Sequence, residues 1–110
     1  MVSLVTGGCG FIGSHMVDRL LAEGHEVRVV DNWTTGRPEN LAHQDGNKNL
    51  TVHHMDIRNR EEIEPVFAGV DYVFHFAALA DIVPSIQRPY DYYSSNVLGT
   101  FNVVECAKNA

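Results

Sequence analysis

The chain has no run of about 20 apolar residues, the length a helix needs to cross a bilayer. Its opening Met1-Val2-Ser3-Leu4-Val5-Thr6 has no cationic leader and is too short an apolar stretch for a signal peptide. Cysteine is scarce: Cys9 and Cys106 stand almost a chain length apart without metal-type spacing, so free, reduced thiols are expected rather than a disulfide framework. Basic residues are few. Against 14 Asp and Glu there are 8 Lys and Arg, a formal charge of −6 that repels phosphate backbones and anionic lipid. Internal repeats, low-complexity tracts and linkers are all missing. These absences point to a cytoplasmic protein that binds neither nucleic acid nor membrane. What is present is ordinary globular sequence, 45% hydrophobic and 20% charged, and 110 residues are enough for one core and not two.

Hydrophobic patterning organises that core. Val2 to Thr6 is a short apolar run stopped by glycine, as in a strand buried on both faces of a parallel sheet. From Phe11 to Ala22 the residues Ile12, Met16, Val17, Leu20 and Leu21 recur at helical spacing, ending at Glu23-Gly24. Glu26 to Val30 is a second strand ending at Asp31. A polar loop follows from Trp33 to Asn47, with one helical turn near Asn40 to Ala42. Leu50 to Met55 reads as a third strand, Arg60 to Phe67 as a short acidic helix with Pro65 near its end, and Val70 to Phe76 as a fourth strand. Pro89 to Lys108 places Tyr93, Val97, Phe101, Val104 and Ala107 at three- and four-residue spacing, a long amphipathic helix. Alternating strands and helices predict an α/β fold, a Rossmann-type doubly wound parallel sheet in the order 3-2-1-4 that stops after the fourth strand and its following helix.

The sharpest motif is Thr6-Gly7-Gly8-Cys9-Gly10-Phe11-Ile12-Gly13, which holds both a GxGxxG and a GxxGxxG frame. It follows a strand and opens a helix, and Asp31 stands 18 residues past Gly13 at the end of the next strand. A pyrophosphate can approach only where no Cβ intervenes, and a helix N-terminus offers it unpaired N–H groups. A plain glycine-rich turn is the competing reading. Asp31 is suited to accept both ribose hydroxyls of an adenosine, favouring NAD over NADP, with Arg37 as the residue that could soften the preference. The bland alternative is a solvated strand-end carboxylate.

Taken together these residues resemble the extended short-chain dehydrogenases/reductases, in particular the NAD-dependent nucleotide-sugar epimerases and dehydratases of the UDP-glucose 4-epimerase type. The likeness runs the length of the chain through Thr6 to Ser14, Asp31-Asn32, Asp56-Ile57-Arg58, His75-Phe76-Ala77-Ala78, Pro84 to Pro89, and Asn96-Val97-x-Gly99-Thr100. By resemblance, Gly7, Gly10, Phe11, Ile12 and Gly13 line the pyrophosphate of NAD, Asp31 and Asn32 hold the adenosine ribose, and Asp56 and Ile57 hold the adenine. Phe76, Ala77 and Ala78 pass under the dinucleotide, Asn96 stabilises that loop, and Ser85 falls near the sugar substrate. Phe76 and Ile57 also read as ordinary core, and Asn96 as a satisfied buried amide.

No metal site is expected from the six histidines, because the adjacent pair His53-His54 points to opposite faces of a strand. No catalytic residue is assigned. The family's Tyr-x-x-x-Lys pair is missing, since Tyr72, Tyr90, Tyr92 and Tyr93 are followed four residues later by Phe76, Ser94, Asn96 and Val97. Residues 1–110 therefore read as the N-terminal, NAD-binding part of a longer enzyme, inactive alone, whose catalytic and sugar-binding part lies elsewhere. Three functions stay open: part of a nucleotide-sugar 4-epimerase working by transient C4 oxidation and hydride return, part of a 4,6-dehydratase or decarboxylase that begins with the same oxidation, or a stand-alone NAD-binding module. The nucleotide sugar would be the partner of the longer protein. Self-association is expected through the open edge of the fourth strand or the last helix.

Overall fold

The computed structural model of the chain describes residues 1–34, 36–79 and 82–110, the side chains of residues 82–84 apart. Pro84, one of the motif residues quoted above, thus has its side chain outside the described set.

Four parallel strands form one sheet: β1 (Val2–Thr6), β2 (Glu26–Asp31), β3 (Leu50–His54) and β4 (Tyr72–His75), in the order β3-β2-β1-β4. This is the Rossmann-like order expected from the sequence. Val5 lies level with Val29 on one side and Phe74 on the other. Because neighbouring residues of a strand face opposite ways, the apolar residues of β1 and β2 feed two cores at once. On one face Val5, Val27 and Val29 pack with Val17 and Leu20 of α1 (Phe11–Ala22) and with Leu41. On the other, Leu4 and Val30 pack with Ile63, Val66, Phe67, Val103 and Cys106. Helical layers on both faces make the sheet doubly wound.

Several elements differ from the sequence reading, each for a local reason. β4 begins at Tyr72 and ends at His75, shorter at both ends than expected, because Val70 closes a turn onto Phe67. Pro65 has no N–H to donate, and the segment after β3 divides into α2 (Arg60–Ile63) and a 3₁₀ turn (Glu64–Phe67). The single turn expected near Asn40 is a longer 3₁₀ segment, Pro38–Gln44, anchored by Leu41. A short helix α3 (Ile82–Gln87), which periodicity did not reveal, precedes the last helical stretch.

That stretch is not one regular helix. It comprises α4 (Pro89–Tyr93), a wide π turn (Ser94–Leu98) and α5 (Gly99–Asn109). The face it turns to the sheet carries Ser94, Gly99, Asn102, Val103 and Cys106, whereas Tyr93, Val97, Phe101 and Val104 are each more than half exposed. The expected apolar stripe therefore points outward, and the core-facing side is the less apolar one. Likewise Ile12 of α1 is exposed while Gly13 and Ser14 take the buried positions. Among the described residues no helix is long and apolar enough to cross a membrane.

Candidate functional site

The strands all end, at their carboxyl termini, around one cleft. Between β1 and α1 the glycine segment folds tightly: Gly7 has φ +70°, a region that L side chains avoid, and the Gly10 N–H returns to the Gly7 carbonyl at 3.1 Å. A Cβ on Gly13 would stand 2.1 Å from the Gly7 oxygen, and one on Gly7 would stand 2.7 Å from the Ala77 nitrogen. Those two glycines are required by packing alone. Gly10 is different, since a Cβ there would meet only the Gly7 oxygen, at 3.3 Å, while the residue itself lines the cleft. It is the N-cap of α1, with no side chain capping the helix and no acidic residue in its first turn. The first-turn amides of Phe11, Ile12 and Gly13 thus have no intrahelical acceptor.

Beside this loop stands Asp31 at the end of β2, almost fully buried yet lining the cleft. Its Oδ2 accepts the Cys9 N–H at 2.9 Å and its Oδ1 the Trp33 N–H at 2.7 Å. A carboxylate offers about four lone-pair sites, so each oxygen keeps one. Trp33 reaches this amide contact with φ +62° and stacks its ring on His54, centroids 3.9 Å apart. Burial, and then the Asp31 charge, push the Cys9 thiol up to about 11.

The turn after β3 supplies the next wall. Arg58 grips the Asp56 carboxylate through Nη2 at 2.6 Å and Nε at 3.0 Å, and its own amide donates to Oδ1 at 2.9 Å. Burial alone would raise the Asp56 pKa, but the Arg58 bonds outweigh it and hold the carboxyl below its ordinary value. The Asn32 amide also reaches Asp56, at 3.4 Å. Ile57 is buried in the core beneath, under Gly99 of α5, and the Asn102 side chain donates to the Ile57 and Arg58 carbonyls at 3.0 and 3.1 Å.

The last wall is the strap that follows β4. Its Phe76 and Ala77 amides donate to the Thr6 hydroxyl at 3.1 and 3.2 Å. Asn96, in the π turn, exchanges a pair of 2.8 Å hydrogen bonds with the backbone of Leu79.

Of the residues singled out from sequence, Gly7, Gly10, Asp31, Asn32, Asp56, Ile57, Phe76, Ala77 and Ala78 line this one cleft. Gly13 packs against the Gly7 backbone, Asn96 braces the Leu79 backbone, and Phe11 and Ile12, whose side chains are exposed, are not among the residues that line it. Sequence reasoning missed Gly36 and Asn40. A Cβ on Gly36 would stand 2.7 Å from Asp31 Oδ2, and the Asn40 amide donates to the Cys9 carbonyl at 2.8 Å, so this segment clamps the glycine loop from above. The only sequence signal was a glycine inside a polar loop. Among the described residues no group of three or more His, Cys, Asp or Glu is placed to hold a metal ion.

The sequence pattern of the NAD dependent epimerase/dehydratase family matches residues 3–110. The chain is 39% identical over 105 residues to UDP-glucuronic acid decarboxylase 1 of Danio rerio, covering 96% of this chain and 24% of that protein. It is 40% identical over 110 residues to UDP-glucose 4-epimerase 2 of Arabidopsis thaliana, covering 93% of this chain and 31% of that one. The solved structure of DesIV, a dTDP-glucose 4,6-dehydratase from Streptomyces venezuelae with NAD bound, superposes with a TM-score of 0.93 at 40% identity over 100% of this chain and 36% of its own. The chain thus spans between about a quarter and about a third of the length of the relatives it matches. With the strand order, the glycine loop and the acidic residue after β2 all in place, the chain belongs to the NAD dependent epimerase/dehydratase family.

Proposed function

We propose that the cleft binds NAD and that residues 1–110 are the cofactor-binding part of a nucleotide-sugar 4-epimerase of the UDP-glucose/UDP-galactose type. The observation that carries the reading is Asp31. Buried at the cleft and already fixed by two backbone amides, it keeps one acceptor site on each oxygen for a pair of adjacent hydroxyls. Facing it, Gly10 leaves the uncapped N-terminus of α1 bare, which suits a pyrophosphate. The amides of Phe11, Ile12 and Gly13 would serve that anion, Asn32 would join Asp31 at the ribose, and Asp56 and Ile57 would bound the adenine. Phe76, Ala77 and Ala78 would lie under the dinucleotide, with Asn96 holding their loop. Bound NAD supplies the hydride acceptor that transient oxidation of a sugar hydroxyl needs.

The decarboxylase and dehydratase readings rest on relatives of similar identity, so the substrate must decide between them. No Tyr-x-x-x-Lys occurs in the 110 residues, and the isolated chain is expected to show no turnover on UDP-glucose or UDP-galactose. Calorimetry on the complete gene product should give NAD at least about a tenfold advantage over NADP, roughly 1.4 kcal/mol. Equal affinities would remove Asp31 from the ribose. Incubation with UDP-glucose, UDP-glucuronate and dTDP-glucose in parallel separates the three chemistries, and conversion of UDP-glucuronate alone would replace the epimerase reading with the decarboxylase one.

A further inference from the structure

The strap leaves β4 at Phe76, which the Thr6 backbone carbonyl holds, and its next residue, Ala77, is held by a hydrogen-bond relay that begins outside the cleft. The Thr6 hydroxyl, buried on β1, receives the Ala77 amide at 3.2 Å and shares the Phe76 amide, at 3.1 Å, with the Thr6 backbone carbonyl, which takes it at 3.0 Å. With these donors on its oxygen, the hydroxyl directs its own hydrogen at its third partner, His75 Nδ1. Nδ1 is therefore bare, and the single ring proton sits on Nε2, which donates to Thr100 Oγ1 of α5 at 2.8 Å.

We propose that His75 is a positioning residue for the bound dinucleotide, fixed as the neutral Nε2–H tautomer between Thr6 and Thr100 so that the Phe76–Ala77 strap keeps its path. The role rests on the NAD reading above. A second ring proton would compete with the Ala77 and Phe76 amides for the Thr6 hydroxyl oxygen, so charging the ring works against the observed strap. Burial lowers the His75 pKa below its ordinary value, and the groups that β1 and α5 present to the ring are hydroxyls rather than charges. The strap has no slack toward the glycine loop: the ideal Cβ position on Gly7 is 2.7 Å from the Ala77 nitrogen and 2.8 Å from the Phe76 carbonyl carbon, so the strap can shift only away from that loop. In the sheet, β4 lies across β1 from β2 and β3. A displaced strap should therefore weaken contacts to the half of a dinucleotide above β4 and spare the adenosine end near Asp31 and Asp56.

The test is calorimetry on the complete gene product with NAD and AMP as probes, together with long-range proton–nitrogen NMR of the His75 ring. His75→Leu and Thr100→Val are expected to weaken NAD about tenfold while AMP changes less than about twofold, and Thr100→Ser, which keeps the hydroxyl, to bind NAD as the wild type does. The wild-type ring should carry its proton on Nε2 alone at pH 7.5, and NAD affinity should fall toward pH 5.5 in the wild type but not in His75→Leu. A proton on Nδ1, or wild-type NAD affinity in both variants, overturns the proposal. So does an equal loss of NAD and AMP, which would mark a general structural defect. A wild type that binds neither probe overturns the NAD reading and the positioning role with it. Should His75→Leu fail to fold, the NMR signature and the Thr100 pair still decide.

Discussion

Asp31 accepts the amides of Cys9 and Trp33 through its two oxygens, so its replacement acts on the loop as well as on any ligand. Leaving the buried Cys9 N–H without an acceptor costs about 1–3 kcal/mol, and the partly exposed Trp33 N–H costs less because water can reach it. Beside it, Cys9 is buried and its pKa is pushed up to about 11 by burial and by the Asp31 charge, so thiolate is scarce at neutral pH. Iodoacetamide at pH 8 should leave Cys9 unmodified in the folded protein and label it in urea, as peptide mass spectrometry would show; rapid native labelling would mean that the glycine loop opens. Asp31 was legible in the sequence because its role depends on two short-range signals, a strand end and a fixed distance from the glycines. Asn40 was not. Its bond to the Cys9 carbonyl depends on the path of a polar loop that carries no periodicity, and Arg58 likewise meets Asp56 only because the turn after β3 folds their side chains together.

Among the elements, α1 and α5 each pack through a glycine, and the two glycines differ in what surrounds them. On Gly13 a methyl group would stand 2.1 Å from a backbone oxygen, whereas on Gly99 it would stand 2.6 Å from the end of the Ile57 side chain. Backbone cannot yield without moving the loop, while a side chain can change rotamer. Gly13→Ala should therefore destabilise the protein by about 2–3 kcal/mol or more, and Gly99→Ala by about 1 kcal/mol or less, in urea denaturation. Equal costs would show that the loop, too, can give way. Strand existence was legible because β1 and most of β2 are apolar, and strand order because strands alternate with helices at crossover spacing. The inward face of the last helix was not: counting three and four along it selects Tyr93, Val97, Phe101 and Val104, a stripe that stays intact but faces outward, and the sheet is met instead by the less apolar Asn102, Val103 and Cys106, because periodicity finds a stripe without saying which way it points.

For the molecule as a whole, His53 and His75 set an acid limit. Burial lowers both pKa values, with the Arg28 charge adding to the effect at His53. The folded state prefers the neutral rings, so their contribution is complete above the ordinary value of 6.5 and is lost as the pH falls from there toward the lower folded values. Melting temperature should drop between pH 7 and pH 5, and by less in His75→Leu; a flat profile would place both rings in water. Asp56 has the opposite protonation chemistry but the same direction of loss, at a pH below its ordinary 3.8. The exposed stripe of Tyr93, Val97, Phe101 and Val104, with the free edge of β4, predicts that the 110-residue chain self-associates. Light scattering should show mass rising with concentration and Phe101→Asp reducing it, and a single monomeric mass up to high micromolar concentration would refute the expectation. The central place of β1 also governs how the chain is made. Its Val5 must wait for Val29 on one side and for Phe74 on the other, so of these four strands the one made first is fully paired only when the one made last arrives. Until His75 has cleared the exit tunnel, Val2–Thr6 remains a sticky β-branched segment, and a stalled or nicked nascent chain exposes it to its neighbours.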